Sequence, residues 1–296
     1  MPERYRMPVD PTADNNPHSF VLQMVGSEHT VLELGCATGH VTEHLVAASN
    51  RVVCVEIDPE SAEEARRFAD RVHVLDLDVD RVSAVEADRF DMIVAGDVLE
   101  HLRDPLRALS DALTLLEPGG RVVISVPNLA YADVRLLVLE GRIEYQDEGL
   151  LDRTHLRWFT RASLRDLLAD AGLVAEEVRR VTHPLGSSRL PVDWPSHSEA
   201  TKAFVLSDPE ALTYQFVVKC RRTEESPAGP DLLAGEPHSW PAHNCDAIGE
   251  EHETLLERIK ILEATVDAWE TSRTARLTKP FRRASATVRQ RLKPPR

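Results

Sequence analysis

Short apolar runs rich in β-branched residues alternate along this chain with amphipathic stretches of about a dozen residues, the pattern of strands each followed by a helix. Strands are expected at 31–35, 52–57 (VVCVEI), 72–76, 90–95 (FDMIVA) and 121–126 (RVVISV). Two more, near 174–181 and 213–220 (TYQFVVKC), would be antiparallel neighbours at one end. Helices are expected over 15–25, 39–48, 58–70, 104–117 and 160–171. Asp58-Pro59 and Asp104-Pro105 read as helix starts, acid before proline, and Pro118-Gly119-Gly120 as a stop. Strands and helices in this alternation give an α/β fold: a doubly wound, mostly parallel seven-stranded sheet with the last strand antiparallel.

The stretch that organises the rest is Val31–Gly39, VLELGCATG, a buried strand breaking into a glycine-bearing turn and then a helix. A strand, a tight turn and a helix N-terminus together present backbone N–H groups to a ligand. The second strand carries Glu56 near its end, where a carboxylate can accept both hydroxyls of a ribose, and the third ends in Asp76. Glycine turn, acid, acid is a nucleoside-binding plan on an open α/β sheet. The dinucleotide pattern G-x-G-x-x-G is not met, because Ala37 and His40 stand where its second and third glycines belong.

Composition narrows the class. The chain has 296 residues, 42% of them hydrophobic, enough for one α/β domain with additions. No stretch approaches the roughly 20 apolar residues of a membrane span. The opening MPERYRMPVDPTADNN lacks the apolar segment of a signal peptide, and Cys36, Cys54, Cys220 and Cys245 show no metal spacing, so a cytoplasmic setting with reduced thiols is expected. Residues 271–296 hold nine Lys and Arg and no acid, which leaves 26 basic against 49 acidic residues before them, a formal −23. Such an acidic body is not that of a nucleic-acid binder.

The spacing Glu33-x-Gly35-x-x-x-Gly39 resembles motif I of class I S-adenosylmethionine (SAM) dependent methyltransferases, with Ala37 where that family often has glycine. FDMIVAGDVLEHL, LEPGGRVVISVPN and LEGRIEYQDEGLLDRTHLRWFTRASLRDLLADAGL extend the resemblance over most of 15–222. They are similar to the UbiG-like type, the last segment to a bacterial subgroup associated with sugar, polysaccharide and secondary-metabolite pathways. The resemblance implies a Rossmann-like fold with SAM as cofactor. Glu33, Gly35, Cys36, Ala37 and Gly39 would surround its methionine part, and Glu56 would hold the ribose hydroxyls. Ile57 and Asp58 would lie beside the adenine, Asp76 would accept from its amino group, and the Leu77 backbone would meet the ring edge. Asp97 and Val98 would line the floor near the sulfonium.

Methyl transfer needs alignment of acceptor and methyl donor, and an alcohol acceptor must also lose a proton. His101, after the fourth strand, and His155, in a lid-like insert over 140–160, are the candidate bases. Asp152 beside His155 would fix its tautomer, which puts His155 first. Ordinary structural roles, capping a turn for His101 and anchoring a loop for His155, are the alternatives. No metal is expected, although Asp97, Glu100 and His101 resemble the E-x-x-E-H pattern through which some UbiG-like enzymes are thought to hold a divalent cation. Tyr131, Arg135, Arg142, Tyr145, Arg153, Arg157 and Trp158 could shape an acceptor site for a phosphate-linked sugar, or be solvated and paired with nearby acids.

The expected organisation is a disordered lead at 1–13, a methyltransferase domain at 14–222 with an excursion at 184–209, a flexible linker at 223–248, an amphipathic helix at 249–272 and a basic tail at 273–296. Leu255, Ile259, Leu262, Val266 and Trp269 form an a/d seam that could make a homodimer or dock on its own domain. The tail could meet an anionic membrane surface or a protein partner. The expected function is O-methylation of a sugar or glycosylated small molecule. The alternatives are a phenolic, amine or carbon acceptor, or a non-catalytic scaffold that recruits biosynthetic partners.

Overall fold

The computed structural model describes residues 9–225 and Leu233. Most of the expected linker, the 249–272 helix with its seam, and the basic tail lie outside the described residues. Residues 9–13, within the expected lead, form a turn in which Asp10 accepts from the Thr12 N–H and hydroxyl.

In chain order the elements are α1 (Pro17–Val25), β1 (Thr30–Leu34), α2 (His40–Ala47), β2 (Arg51–Glu56), α3 (Pro59–Ala65), β3 (Arg71–Val74), β4 (Phe90–Gly96) and α4 (Pro105–Leu113). β5 (Leu116–Pro127), α5 (Ala132–Leu139), α6 (Arg161–Asp170), β6 (Leu173–Thr182), α7 (Glu199–Leu206) and β7 (Thr213–Arg222) follow. The seven strands lie in the order β3-β2-β1-β4-β5-β7-β6. β7 runs antiparallel to both β5 and β6, as the pattern predicts, and the pairs among β1 to β5 are parallel.

Period-two alternation sorts the strand residues into two cores. Leu32, Leu34, Val53, Val55, Ile93 and Ile124 pack under α4 and α6, while Val31, Val52, Cys54, Met92, Val94 and Val123 meet α1 and α2. Fully buried side chains of this size contribute roughly 1.5–3 kcal/mol each, so the two cores carry the domain. Asn16 caps α1 through its side chain, and Asp58 and Asp104 cap α3 and α4 ahead of proline, as expected.

Several element boundaries differ from expectation. α3 stops at Ala65 rather than Asp70, because the Asp70 N–H already bonds the Val52 carbonyl at 2.9 Å and the chain must leave the helix to reach β3. Asp76 therefore sits beyond β3 in a turn. α4 stops at Leu113 and β5 takes in Pro118-Gly119-Gly120, since the pairing of Phe90 with Leu116 draws the chain onto β4 early. Gly119 at φ +81° makes the irregular step, and a Cβ on Gly120 would lie 2.9 Å from the Asp91 carbonyl oxygen.

The periodicity predicts no element at 132–139 or 199–206, where α5 and α7 form. Apolar residues surround α5, whose Ala132 and Leu136 pack on Val205 of α7 and whose Val134 and Leu137 pack on Leu150 and Leu151. Asp133, fully buried on α5, ties down the 184–209 excursion: it accepts from the Gly186 N–H at 3.0 Å, the Trp194 indole at 3.0 Å and the Ser188 hydroxyl. Replacing Asp133 with alanine leaves these donors unpaired and should cost about 2–4 kcal/mol. Thermal denaturation should show the loss, with proteolytic cleavage inside 184–209 accelerated; an unchanged midpoint would contradict this anchoring.

Candidate functional site

The strand order reverses between β1 and β4, and in an open sheet of this kind ligands bind outside the carboxyl ends of the strands at that point. The turn after β1 enters the left-handed region three times, at Gly35 (φ +71°), Ala37 (φ +48°) and Gly39 (φ +84°). A Cβ on Gly35 would stand 2.7 Å from Val98 Cγ2, so the close approach itself requires glycine. Ala37 carries a Cβ in a conformation that costs an L-residue roughly 1–2 kcal/mol, and its N–H is clamped by Glu56 Oε2 at 2.8 Å. The other oxygen of Glu56 accepts from the N–H groups of Ile57 and Asp58, both at 2.9 Å. One carboxylate thus joins the end of β2 to the turn after β1.

A cavity of about 530 Å³ opens there, lined by Glu33, Gly35, Cys36, Ala37, Glu56, Ile57, Asp58, Asp76, Leu77, Asp78, Gly96, Asp97, Val98, His101 and Thr154, with His18 and His40 at one side. Six of the lining residues are acids and none is lysine or arginine. Asp76 accepts from the Asp78 N–H at 2.9 Å. Asp97, at φ +51°, is held by the Ser125 hydroxyl at 2.9 Å and by the Gln215 amide. Glu33 lies on the α2 side of the sheet, where it accepts from the Thr42 hydroxyl at 2.6 Å and the Cys54 thiol at 3.6 Å. Burial pushes its carboxyl up to about 7, and the nearby Glu56 charge adds to the effect.

His101 ends a 3₁₀ turn, Leu99–His101, after β4. Its Nδ1 stands 3.1 Å from the Thr154 hydroxyl and 3.3 Å from the Thr154 carbonyl oxygen. The same hydroxyl donates to Asp152 Oδ1 at 2.7 Å, and Asp152 is buried. Residues 154–157 are pinned over the turn because the Leu156 and Arg157 N–H groups donate to the Glu100 carbonyl at 2.8 and 2.9 Å. This corrects the expected Asp152–His155 pair: the Asp152 carboxylate turns back on its own loop, and the chain of contacts from it runs through Thr154 to His101. His155 directs Nδ1 at the Leu150 carbonyl, 3.2 Å away, and packs edge-on against His101 with ring centres 4.8 Å apart. Burial, and then His101, hold its imidazole below the usual histidine range.

A methyltransferase domain family matches residues 12–178, more than half of the chain. The chain belongs to this family. Among its relatives, a ubiquinone biosynthesis O-methyltransferase of Xylella fastidiosa is 34% identical over 159 residues, covering 50% of this chain and 62% of that one. One from Xanthomonas axonopodis pv. citri is 31% identical over 159 residues, covering 50% and 64%. The chain spans less than two thirds of the length of the curated relatives it matches. The solved structure of the 1,6-didemethyltoxoflavin-N1-methyltransferase of Burkholderia thailandensis, with bound 1,6-didemethyltoxoflavin and S-adenosylhomocysteine, is similar at 20% identity, 70% and 77% coverage and a TM-score of 0.45.

In this class I SAM-dependent methyltransferase domain, eleven of the twelve residues expected at the cofactor line the cavity. The twelfth, Gly39, stands behind it as the N-cap of α2, against Ala65 and Phe68. His101 and Thr154 are lining residues, while His155 lies behind His101. The arginines expected around an acceptor are mostly engaged: Arg135 with Asp208, Arg142 with Glu140 and Glu144, Arg153 with Asp147, and Arg157 with the Arg103 carbonyl. Tyr131 is fully buried, its hydroxyl on the Pro184 carbonyl, and is no acceptor-facing ring. Among the described residues, one group has metal-ligand character: Glu100, His101 and His155, whose ligand atoms lie within 4.8 Å of one another. Asp97, the first position of the E-x-x-E-H-like pattern, is turned to Ser125 and Gln215 instead. Glu100 is fully buried with Oε2 unpartnered, and burial, then Asp97, raise its carboxyl well above the usual range.

Glu33 gives this domain a pH signature. The folded protein keeps the Glu33 proton up to about pH 7, whereas an unfolded glutamic acid loses it near 4.5, so this group lowers stability as pH rises through that window. Glu33→Gln removes the penalty. Between pH 4.5 and 7.5 the unliganded wild type should lose on the order of 2–3 kcal/mol relative to this variant in parallel denaturation curves. Parallel pH profiles for the two proteins would contradict the assignment.

Proposed function

We propose that this protein is a SAM-dependent O-methyltransferase acting on a hydroxyl of a small molecule, a sugar or glycosylated compound being the acceptor class favoured by the resemblance of 139–173. The observation that carries the cofactor half is the charge of the cavity. Six carboxyl groups and no lysine or arginine suit a ligand with a sulfonium and an ammonium, and oppose the pyrophosphate of a dinucleotide. The names of the relatives, O-methyltransferases of ubiquinone biosynthesis, favour oxygen as the accepting atom.

In this reading Glu56 takes the ribose hydroxyls on the lone pairs left by its three backbone N–H bonds. Ile57, 61% exposed at the mouth, covers one face of the adenine, with Asp58, Asp76 and Leu77 at its edge. Glu33, Gly35, Cys36, Ala37 and Gly39 surround the methionine end, and Asp97 and Val98 form the floor beside the sulfonium. Bound there, SAM supplies a methyl group open to in-line displacement. The chain's own work is to exclude water, to hold the acceptor oxygen on that line, and to take its proton. His101 is the base, because it lines the same cavity as the cofactor residues, whereas His155 stands behind it. The engaged arginines favour a neutral hydroxylated acceptor over a phosphorylated one.

Tritium transfer from labelled SAM to a panel of glycosides, phenols and amines tests this reading. The expected outcome is label on glycosides, a loss of about 10²–10⁴ in kcat for His101→Ala with little change in KM for SAM, and a milder effect for His155→Ala. Full activity of His101→Ala would remove it as the base, and label only on phenols or amines would overturn the acceptor class.

A further inference from the structure

The contacts around His101 carry a second assignment, which rests on the reading of His101 as the base. We propose that Thr154 is a positioning residue that links the His101 imidazole to the buried Asp152 carboxylate through its hydroxyl. The hydrogen bonds fix the direction of the chain. Asp152 Oδ1 accepts twice, from the Thr154 N–H at 2.8 Å and from the Thr154 hydroxyl at 2.7 Å. An oxygen that takes the Thr154 N–H is placed as an acceptor, so the single hydroxyl proton of Thr154 points at it. The hydroxyl oxygen, 3.1 Å from His101 Nδ1, can then only accept. Nδ1 must carry the hydrogen, the Thr154 carbonyl at 3.3 Å favours the same choice, and the lone pair falls on Nε2.

That tautomer is the one a base needs. With SAM bound, the acceptor's hydroxyl proton would pass to Nε2 as its oxygen is methylated in exchange for the neutral thioether. The imidazolium so formed keeps its Nδ1–H on the Thr154 oxygen, with the Asp152 charge one bond beyond, and later returns the Nε2 proton to water. Titratable groups beside His101 include His155, edge-on at 4.8 Å between ring centres, and Glu100 on its own turn. The link joins two segments 53 residues apart, and the bonds from the Leu156 and Arg157 N–H groups to the Glu100 carbonyl hold it in register.

Imidazole nitrogen NMR of the full-length protein labelled with ¹⁵N-histidine and saturated with S-adenosylhomocysteine reads both properties without an acceptor. His101 is assigned by the signal lost in His101→Gln. In the wild type the neutral ring should be the Nδ1–H tautomer. Thr154→Val, which keeps the shape and removes the hydroxyl, should lower the His101 pKa by about half to one unit, the worth of one hydrogen bond, and Thr154→Ser should restore it. An Nε2–H tautomer in the wild type, or an unshifted pKa in Thr154→Val with S-adenosylhomocysteine still bound, would overturn the proposal. An Nδ1–H tautomer with full methyl transfer by His101→Ala would instead overturn the base assignment and reduce the link to a loop tie.

Discussion

The carboxylate of Glu56 is the constraint on which the site depends. It ends β2, yet its strongest partners belong to the turn after β1 and to the entry of α3: Ala37, Ile57 and Asp58 all give it their N–H groups. A turn that enters the left-handed region at Gly35, Ala37 and Gly39 has little reason to hold its shape alone. Bonded to the neighbouring strand by one charged acceptor, and by the Gly35 and Cys36 N–H groups to the Val55 carbonyl, it becomes a fixed rim on the crevice where the sheet order reverses.

Acids crowd that crevice at a cost the unliganded protein bears. Glu33 holds its proton to about pH 7 because burial and Glu56 oppose its charge, and just outside the lining the buried Glu100 stays protonated well above the ordinary range. Asp97 has a left-handed backbone, its N–H bonded to Ser125 and its side chain held by Ser125 and Gln215. Groups held in unfavourable charge and backbone states at one place are the mark of a site selected for a ligand. A cation entering this cavity relieves the repulsion that folding has concentrated there. The His101 end is different in kind, since its charges are linked through Thr154 rather than left facing one another.

The sheet, the glycine turn and eleven of the residues lining the cavity were legible in the sequence because each depends on neighbours along the chain: a period of two, a glycine before a helix, an acid at the end of a strand. Helix ends were less so. α3 is shortened by the bond from Asp70 to Val52 and α4 by the pairing of Phe90 with Leu116, both tertiary events that propensity does not encode. α5 lacks a plain amphipathic pattern because apolar partners meet it on more than one side and its polar residues, Asp133 and Arg135, bond to the 184–209 segment. Asp152 and His155 looked like a pair because they are three residues apart. In the fold the carboxylate curls onto Thr154, and the histidine it reaches lies 53 residues away from that threonine, a separation no local pattern reports.

The central claim is that the rim built by Glu56 is a SAM site, and equilibrium calorimetry with S-adenosylhomocysteine tests it most directly. Saturable binding by the full chain at one site, lost in Glu56→Ala and without any matching response to NAD, is the predicted result. Binding of NAD, or binding of S-adenosylhomocysteine that survives in Glu56→Ala at full strength, would contradict it.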